Sequence, residues 1–202
     1  REATIEVLIV QDTKEPHTPD SIFPNNWFST HEDGTLVLYP MYAENRRLER
    51  TPKILDFVKD REALKIIDLT KNEKEGKVLE GTGSMCLDRK NRIAYASLSK
   101  RTNKDLFEEF CKMMDYKPVS FSGKQTIDGK QSPIYHTNVL MAIGEEYVLI
   151  FLDSIVDEKE KEMVRKSILD SGKELIEITE EQTNHFLGNA LELRKKDGSK
   201  VL

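Results

Sequence analysis

The stretch that decides the fold is HTNVLMAIGEEYVLIFLDS, residues 136–154. It opens with polar residues, runs as an apolar strand, turns at Gly144 and returns as a second apolar strand. A turn glycine between two apolar runs is typical of a β-hairpin. Next come the helical pattern DEKEKEMVRKSILDSG, with acids in its first turn and Gly172 as its stop, and the short strand ELIEITE. The predicted unit is strand, strand, helix, strand.

The same hairpin pattern occurs in three other stretches. They are NNWFSTHEDGTLVLYP (25–40), GTGSMCLDRKNRIAYASLS (81–99) and GNALELRKKDGSKVL (188–202). The turn residues are spaced 57, 53 and 54 residues apart, at Gly34, Asn91, Gly144 and Gly198. This near-constant spacing predicts a repeat of a ββαβ unit.

Helices and strands also follow the first two hairpins. Pro52 and Asn103 stand where a helix start is expected, and Asn is a favoured N-cap. A unit of this size cannot close a core alone, so several copies must pack together. If they form a ring, the polar openings of the hairpins meet around one axis. The alternative is a noncircular α/β domain in which the repeats are coincidental.

The bulk properties narrow the function classes. A chain of 202 residues buries a sizeable core, and its net charge of −5 argues against nucleic acid as a partner. No apolar run approaches the roughly 18 residues of a membrane-spanning helix. Two cysteines form neither a disulfide framework nor a zinc cluster, which favours the cytoplasm. Because the first residue is Arg1 rather than Met, a preceding signal peptide is left open.

Five ordered motifs resemble the pentein superfamily, which groups arginine deiminases, dimethylarginine dimethylaminohydrolases and amidinotransferases. PDSIFPNNW (19–27) is similar to the dimethylarginine hydrolase pattern Pro-Asp-Ser-Val-Phe-x-Glu-Asp, and LEGTGS (79–84) to a Glu-Gly-Gly-Asp stretch. ENRRLE (44–49) resembles a substrate-side Arg-Arg-Gly-Glu, SLSKRTN (97–103) a Ser-x-Arg-Thr-Asn, and IYHTNV (134–139) the segment with the catalytic histidine. The likeness is greatest to a branch labelled amidinotransferase or citrulline-utilising hydrolase.

The resemblance implies a fold and a domain. Penteins are five-bladed α/β propellers of ββαβ modules, which matches the repeat. We therefore expect residues 1–202 to form a single pentein-like α/β domain that is incomplete at both ends. In the family, the nucleophilic cysteine follows the Gly-Asn motif, here Gly188-Asn189. We expect this segment to lie outside the chain, so that the chain alone is inactive.

The resemblance assigns catalytic roles to two residues. His136 would be the general acid and base, and Glu80 would orient its imidazole. The alternatives are a structural histidine and a surface glutamate. Cys86 and Cys111 do not match the nucleophile and have the pattern of small core residues. His31, in the turn HEDG, is expected to be exposed and without a role.

Further residues are candidates for substrate binding. Asp20 would take the α-amino end or the polar head of the substrate, with a helix or turn cap as its alternative, and Phe23 would form an apolar wall. Arg46 and Arg101 would bind the substrate carboxylate, or else form surface salt bridges. At the positions where related enzymes hold a guanidinium with carboxylates, this chain has amides: Asn25, Asn26 and Asn138.

The amides predict the chemistry of the substrate. A guanidinium has only donors and a positive charge, whereas a ureido group is neutral and offers a carbonyl acceptor. The sequence therefore predicts a cysteine-dependent hydrolase of a C–N bond, with citrulline preferred over arginine. It predicts no metal or cofactor, and a small amino acid as ligand rather than nucleic acid or membrane. A homo-oligomer is left open. The alternatives are an amidinotransferase with the same covalent intermediate, and a pentein that binds amino acids without chemistry.

Overall fold

The computed structural model describes residues 9–12, 14–62, 65–195 and 197–201, and for 58–62 it describes the backbone alone. Its first unit contains two strands, β1 (Phe28–Thr30) and β2 (Thr35–Leu38), then helices α1 (Glu44–Arg47) and α2 (Pro52–Glu62), then β3 (Lys65–Asp68). Strands β1 and β2 are antiparallel, and β3 pairs with β2 in parallel. Helix α2 begins at its proline, because a proline at the first helical position gives up no backbone bond.

The second unit repeats this order. A single helical turn, α3 (Gly81–Ser84), precedes β4 (Cys86–Asp88) and β5 (Ile93–Ser97), and α4 (Lys104–Met113) leads to β6 (Lys117–Phe121). The sheet again has an antiparallel hairpin and a parallel third strand. Between the first two units lies a 3-10 helix, Thr70–Glu75. After β6, a separate antiparallel hairpin is formed by β7 (Lys124–Ile127) and β8 (Lys130–Pro133).

The third unit begins with another single turn, α5 (Thr137–Leu140). It continues with β9 (Met141–Ile143), β10 (Tyr147–Ile150), α6 (Glu158–Asp170) and β11 (Glu174–Glu177). The pairing is antiparallel for β9–β10 and parallel for β10–β11. The predicted ββαβ unit is thus confirmed in three sheets of the described chain. Two further 3-10 helices are Pro24–Asn26 and Leu152–Ser154.

The last elements are α7 (Glu180–Asn184) and a hairpin of β12 (Leu193–Arg194) and β13 (Lys200–Val201). Gly34 and Gly198 have positive φ values of 76° and 83°, as turn glycines should. The prediction for the second hairpin was wrong in detail. There Arg92, with φ 56°, takes the left-handed conformation, and Asn91 instead bonds to the Asp88 carboxylate at 3.1 and 2.8 Å.

Two large hydrophobic clusters join neighbouring units. One combines Val37 and Tyr39 of the first unit with residues of β5 and α4, such as Phe110. The other combines Tyr95 and Phe121 of the second unit with most apolar side chains of β9, β10 and α6. A smaller cluster around Trp27 packs under the first sheet. Because the cores are shared, each unit holds the next in a fixed place.

Helix ends agree with the predicted caps. The Asn103 side chain accepts a hydrogen bond from the Leu106 N–H at 3.0 Å, which satisfies a free donor at the start of α4. Gly172 takes φ 77° after α6, as a C-terminal stop does. No helix among the described residues is long and apolar enough to cross a membrane.

Candidate active site

The hairpin openings of the three units meet. The Asn25 side chain donates to Thr82 Oγ1 at 3.0 Å, which ties the 3-10 helix Pro24–Asn26 to α3. Thr137 Oγ1 donates to the Ser84 carbonyl at 2.5 Å, which ties α5 to α3. Asn189 donates to the backbone oxygen of Asn138 at 2.8 Å, so the fourth opening joins the same region.

One cavity of about 970 Å³ lies at this meeting point. Eight of the nine side chains predicted for the site line it: Asp20, Phe23, Asn25, Asn26, Arg46, Arg101, His136 and Asn138. The ninth, Glu80, has no exposed surface and lies behind His136. Asp20 and Asn138 are 118 positions apart in the sequence, and both line this cavity.

Glu80 and His136 form a close pair. His136 Nε2 is 2.5 Å from Glu80 Oε2, and both residues are buried. Burial alone would raise the pKa of Glu80. Three interactions outweigh burial and hold that pKa below the usual value: the hydrogen bond and charge of His136, the Tyr42 N–H that donates to Oε1 at 2.9 Å, and the charge of Arg101. A carboxylate that stays ionised beside an imidazole can orient it and stabilise its protonated form.

The backbone around Glu80 is fixed by Ser84. Its hydroxyl accepts from the Glu80 N–H at 2.7 Å and donates to the Arg101 carbonyl at 2.5 Å. The single turn α3 therefore carries Glu80 as its N-terminal neighbour and fastens it to the turn after β5 that carries Arg101.

Gly83 provides space between two site residues. A Cβ atom at this position would stand 2.5 Å from Asn26 Nδ2 and 2.9 Å from His136 Nδ1. Real Cβ atoms do not approach neighbours so closely. Only glycine lets the Asn26 amide and the His136 ring lie as near to α3 as they do.

Arg46 is buried, and the salt bridge that it forms with Glu49 lies below the surface rather than on it. Its Nε and Nη2 atoms bond to the Glu49 carboxylate at 2.8 and 3.1 Å, and Nη1 donates to Asn26 Oδ1 at 2.8 Å. Nη2 also donates to the carbonyls of Asp20 and Phe23. Arg46 thus fastens the loop that carries the candidate substrate residues.

Arg101 is partly exposed and bonds to Glu80 Oε2 through Nη1 at 3.1 Å. Its guanidinium carbon lies 5.8 Å from the Tyr42 ring centre and 5.5 Å from that of Tyr135. A guanidinium this close to aromatic rings is held by cation–π attraction. Arg101 therefore lies at the cavity rim, beside the Glu80–His136 pair.

Sequence reasoning missed several residues of the site. Glu49 completes the motif ENRRLE and stands three positions after Arg46, a spacing that places both on one helical face. This signal could have identified the pair. Tyr42, Tyr135 and Thr82 carried no comparable signal, because their contacts join distant segments of the chain.

Both cysteines are buried, as expected of core residues. Burial raises the pKa of each thiol to about 12. Cys86 lines the cavity, but its thiol donates to the Met141 carbonyl at 3.2 Å. A thiol in this state is neutral near pH 7 and a poor nucleophile.

The expectation that His31 is exposed was wrong. It is half-buried, with Nε2 3.0 Å from Ser29 Oγ and Nδ1 3.3 Å from Arg89 Nη1. Burial, helped by the Arg89 charge, lowers the pKa of His31 to about 4. His31 therefore links the first hairpin to the second in its neutral form.

Across the described ranges, no three His, Cys, Asp or Glu side chains are grouped as metal ligands.

Comparison with known proteins agrees with this fold and motif set. A family model described as N,N dimethylarginine dimethylhydrolase, eukaryotic, matches residues 1–202. The fold and motifs define a member of the pentein superfamily of arginine-modifying hydrolases. Within it, the chain belongs to the dimethylarginine dimethylhydrolase family. A comparison with curated proteins found no match.

Solved structures share the fold at low identity. ArgZ, an arginine dihydrolase from the ornithine-ammonia cycle in cyanobacteria, is 21% identical with a TM-score of 0.68, over 90% of this chain and 26% of ArgZ. The ArgZ N-terminal domain bound to substrate is 20% identical with a TM-score of 0.66, over 89% of this chain and 60% of that domain. The chain thus spans about a quarter of ArgZ. The superfamily predicted from the motifs is confirmed, and the branch within it stays a prediction.

Proposed function

We propose that the protein hydrolyses a C–N bond in a ureido or guanidino amino acid. The observation that carries this proposal is the buried Glu80–His136 pair at the wall of a cavity lined by polar side chains. The family model supports a hydrolase of this kind. The related ArgZ N-terminal domain has been solved covalently bound to a reaction intermediate, and bound to substrate when a cysteine is replaced by serine.

The proposed reaction has two steps, formation of a covalent adduct and its hydrolysis. A cysteine thiolate attacks the central carbon of the substrate head, and the C–N bond to the leaving amine breaks. His136 gives its proton to that amine. The neutral His136 then takes a proton from water, and the resulting hydroxide attacks the adduct carbon and releases the thiolate. Glu80 orients the imidazole and stabilises its charged form in both steps.

The thiolate is proposed to come from outside residues 1–202. Cys86 and Cys111 are both buried, with pKa values raised to about 12. A nucleophilic cysteine instead needs a lowered pKa and access to the ligand. The single pentein-like domain would then be larger than the part described, and its ββαβ units would continue around a propeller axis.

Citrulline is the proposed substrate in preference to arginine. The carboxylates of Glu49 and Glu80 are already bonded to cations of the protein, so neither is free to hold a guanidinium. The amides of Asn25, Asn26 and Asn138 offer neutral hydrogen-bonding groups instead. Asp20 would take the α-amino group, with Phe23 as the apolar wall and Arg101 beside the carboxylate.

Location in the cytoplasm and self-association are proposals that rest on the cysteine count and the exposed strands.

The test is a turnover assay on the natural protein. Citrulline, arginine and dimethylarginine are offered separately, and the released amine and amino acid are identified by mass spectrometry. His136→Ala should lower kcat by roughly 10²- to 10⁴-fold while the circular dichroism spectrum stays unchanged. Full activity of His136→Ala would refute its role, and the absence of turnover on every candidate would refute the function.

A further inference from the structure

The orientation of one amide in the cavity is fixed by the protein. Arg46 Nη1 donates to Asn26 Oδ1 at 2.8 Å. A guanidinium has donors but no acceptor, so the amide must turn its oxygen toward Arg46 and its NH₂ group away from it. In the opposite orientation, the N–H groups of the Asn26 amide would face those of the buried Arg46 guanidinium, and neither could accept a hydrogen bond.

Arg46 cannot easily turn to allow another arrangement. The Glu49 carboxylate binds it at 2.8 and 3.1 Å, and its Nη2 also donates to the Phe23 carbonyl at 3.1 Å and the Asp20 carbonyl at 3.3 Å. The side chains of Arg46 and Glu49 are 5% and 1% exposed. A buried, bidentate ion pair of this kind holds a planar geometry.

The NH₂ group of Asn26 lies on the side of His136. The position of a Cβ atom at Gly83 is 2.5 Å from Asn26 Nδ2 and 2.9 Å from both Nδ1 and Cε1 of His136. The amide donor and the imidazole edge therefore border the same small space. Both residues line the cavity.

We propose that Arg46 is a positioning residue that presents Asn26 as a hydrogen-bond donor beside His136, and that this donor selects a carbonyl oxygen at the reacting end of the ligand. A ureido oxygen accepts from the Asn26 NH₂ group. A guanidinium would bring its own N–H groups against it, which leaves buried donors unpaired. The inference rests on the proposed function. It attributes the preference for a ureido group over a guanidinium to the orientation of the Asn26 amide.

The experiment is a competition between citrulline and arginine in one reaction with the natural protein, which gives the ratio of their kcat/KM values. The wild type should favour citrulline. Asn26→Asp keeps an oxygen on Arg46 and replaces the donor with a second, charged acceptor. Its ratio should move toward arginine by at least about tenfold, because a site built around one hydrogen bond discriminates strongly. Asn45→Asp, the same change at an exposed position on α1, is the control and should leave the ratio unchanged.

A second variant tests the role of Arg46. Arg46→Lys keeps the charge beside Glu49 but has no planar fork to hold Asn26 at the same time. It should reduce the preference for citrulline, with a smaller effect on the summed turnover. An unchanged ratio in folded Asn26→Asp and Arg46→Lys would overturn the inference. A wild type that turns over both substrates without preference would overturn the inference alone. A wild type that turns over neither would overturn the proposed function and the inference with it.

Discussion

At residue 83, glycine is required by space, and this requirement can be tested by a single methyl group. Gly83→Ala would place a Cβ 2.5 Å from Asn26 Nδ2 and 2.9 Å from His136 Nδ1, so the amide and the ring must move apart. We expect KM to rise and kcat to fall, because a displacement of about 1 Å at reacting groups can lower the rate about 10²-fold. Steady-state kinetics measure the effect, and the thermal unfolding midpoint is the control. Unchanged kinetics would show that the contact has no part in the site.

His31 makes stability depend on pH. Its pKa is lowered to about 4 by burial and by Arg89, from 6.5 in the unfolded chain. Between these values the unfolded state binds the proton and the folded state does not, so the free energy of unfolding falls as pH drops from 6.5 toward 4. His31→Gln should remove this part of the slope in urea titrations at pH 5 and pH 7.5. His185→Gln, at an exposed position, is the control, and equal slopes for wild type and His31→Gln would contradict the assignment.

At the element scale, local patterns predicted the units well. Hairpin turns, the proline at the start of α2 and the Asn103 cap all act through contacts within a few residues, which a sequence displays directly. The β7–β8 hairpin was not predicted, because KQTI and KQSP lack apolar alternation and only Asp128-Gly129 indicates its turn. The single turns α3 and α5 were also missed. Tertiary contacts, which local sequence patterns do not reveal, hold these turns in place. For example, Thr137 Oγ1 donates to the Ser84 carbonyl and accepts from the Ser97 N–H at 2.8 Å.

The Asn103 cap gives an element-scale prediction. Asn103→Ala removes the acceptor for the Leu106 N–H and should lower the free energy of unfolding by about 1 kcal/mol. Urea denaturation followed by far-UV circular dichroism measures the change. Asn45→Ala, on the exposed face of α1, is the matched control and should change the stability much less. An equal effect of the two substitutions would argue against a capping role.

On the scale of the whole molecule, the site exists because the units share their cores. Phe110 in α4 lies 5.9 Å, ring centre to ring centre, from Tyr39 of the first unit and 6.1 Å from Tyr116. The repeat and the family resemblance indicated which residues would meet. It could not reveal the contacts that orient them, such as Arg46 with Asn26, because those depend on how two units are set against each other.

Phe110→Ala therefore tests the coupling between units. The buried ring has no exposed surface, and its loss should cost about 3–5 kcal/mol. The fluorescence of Trp27, the only tryptophan in the chain and a residue of the first unit, should report the same lowered denaturation midpoint as circular dichroism. Phe186→Ala, which removes a ring that is 70% exposed, is the control. An unmoved Trp27 transition would show that the units unfold independently.

The central claim is that Glu80 and His136, brought together from two units, act as one catalytic pair. The most direct test measures kcat for Glu80→Gln, His136→Ala and the double variant of the natural protein. Because residues that act as a unit are strongly non-additive, we predict that the double variant loses no more activity than His136→Ala alone. Losses that multiply in the double variant would show that the two residues act independently and would contradict the account.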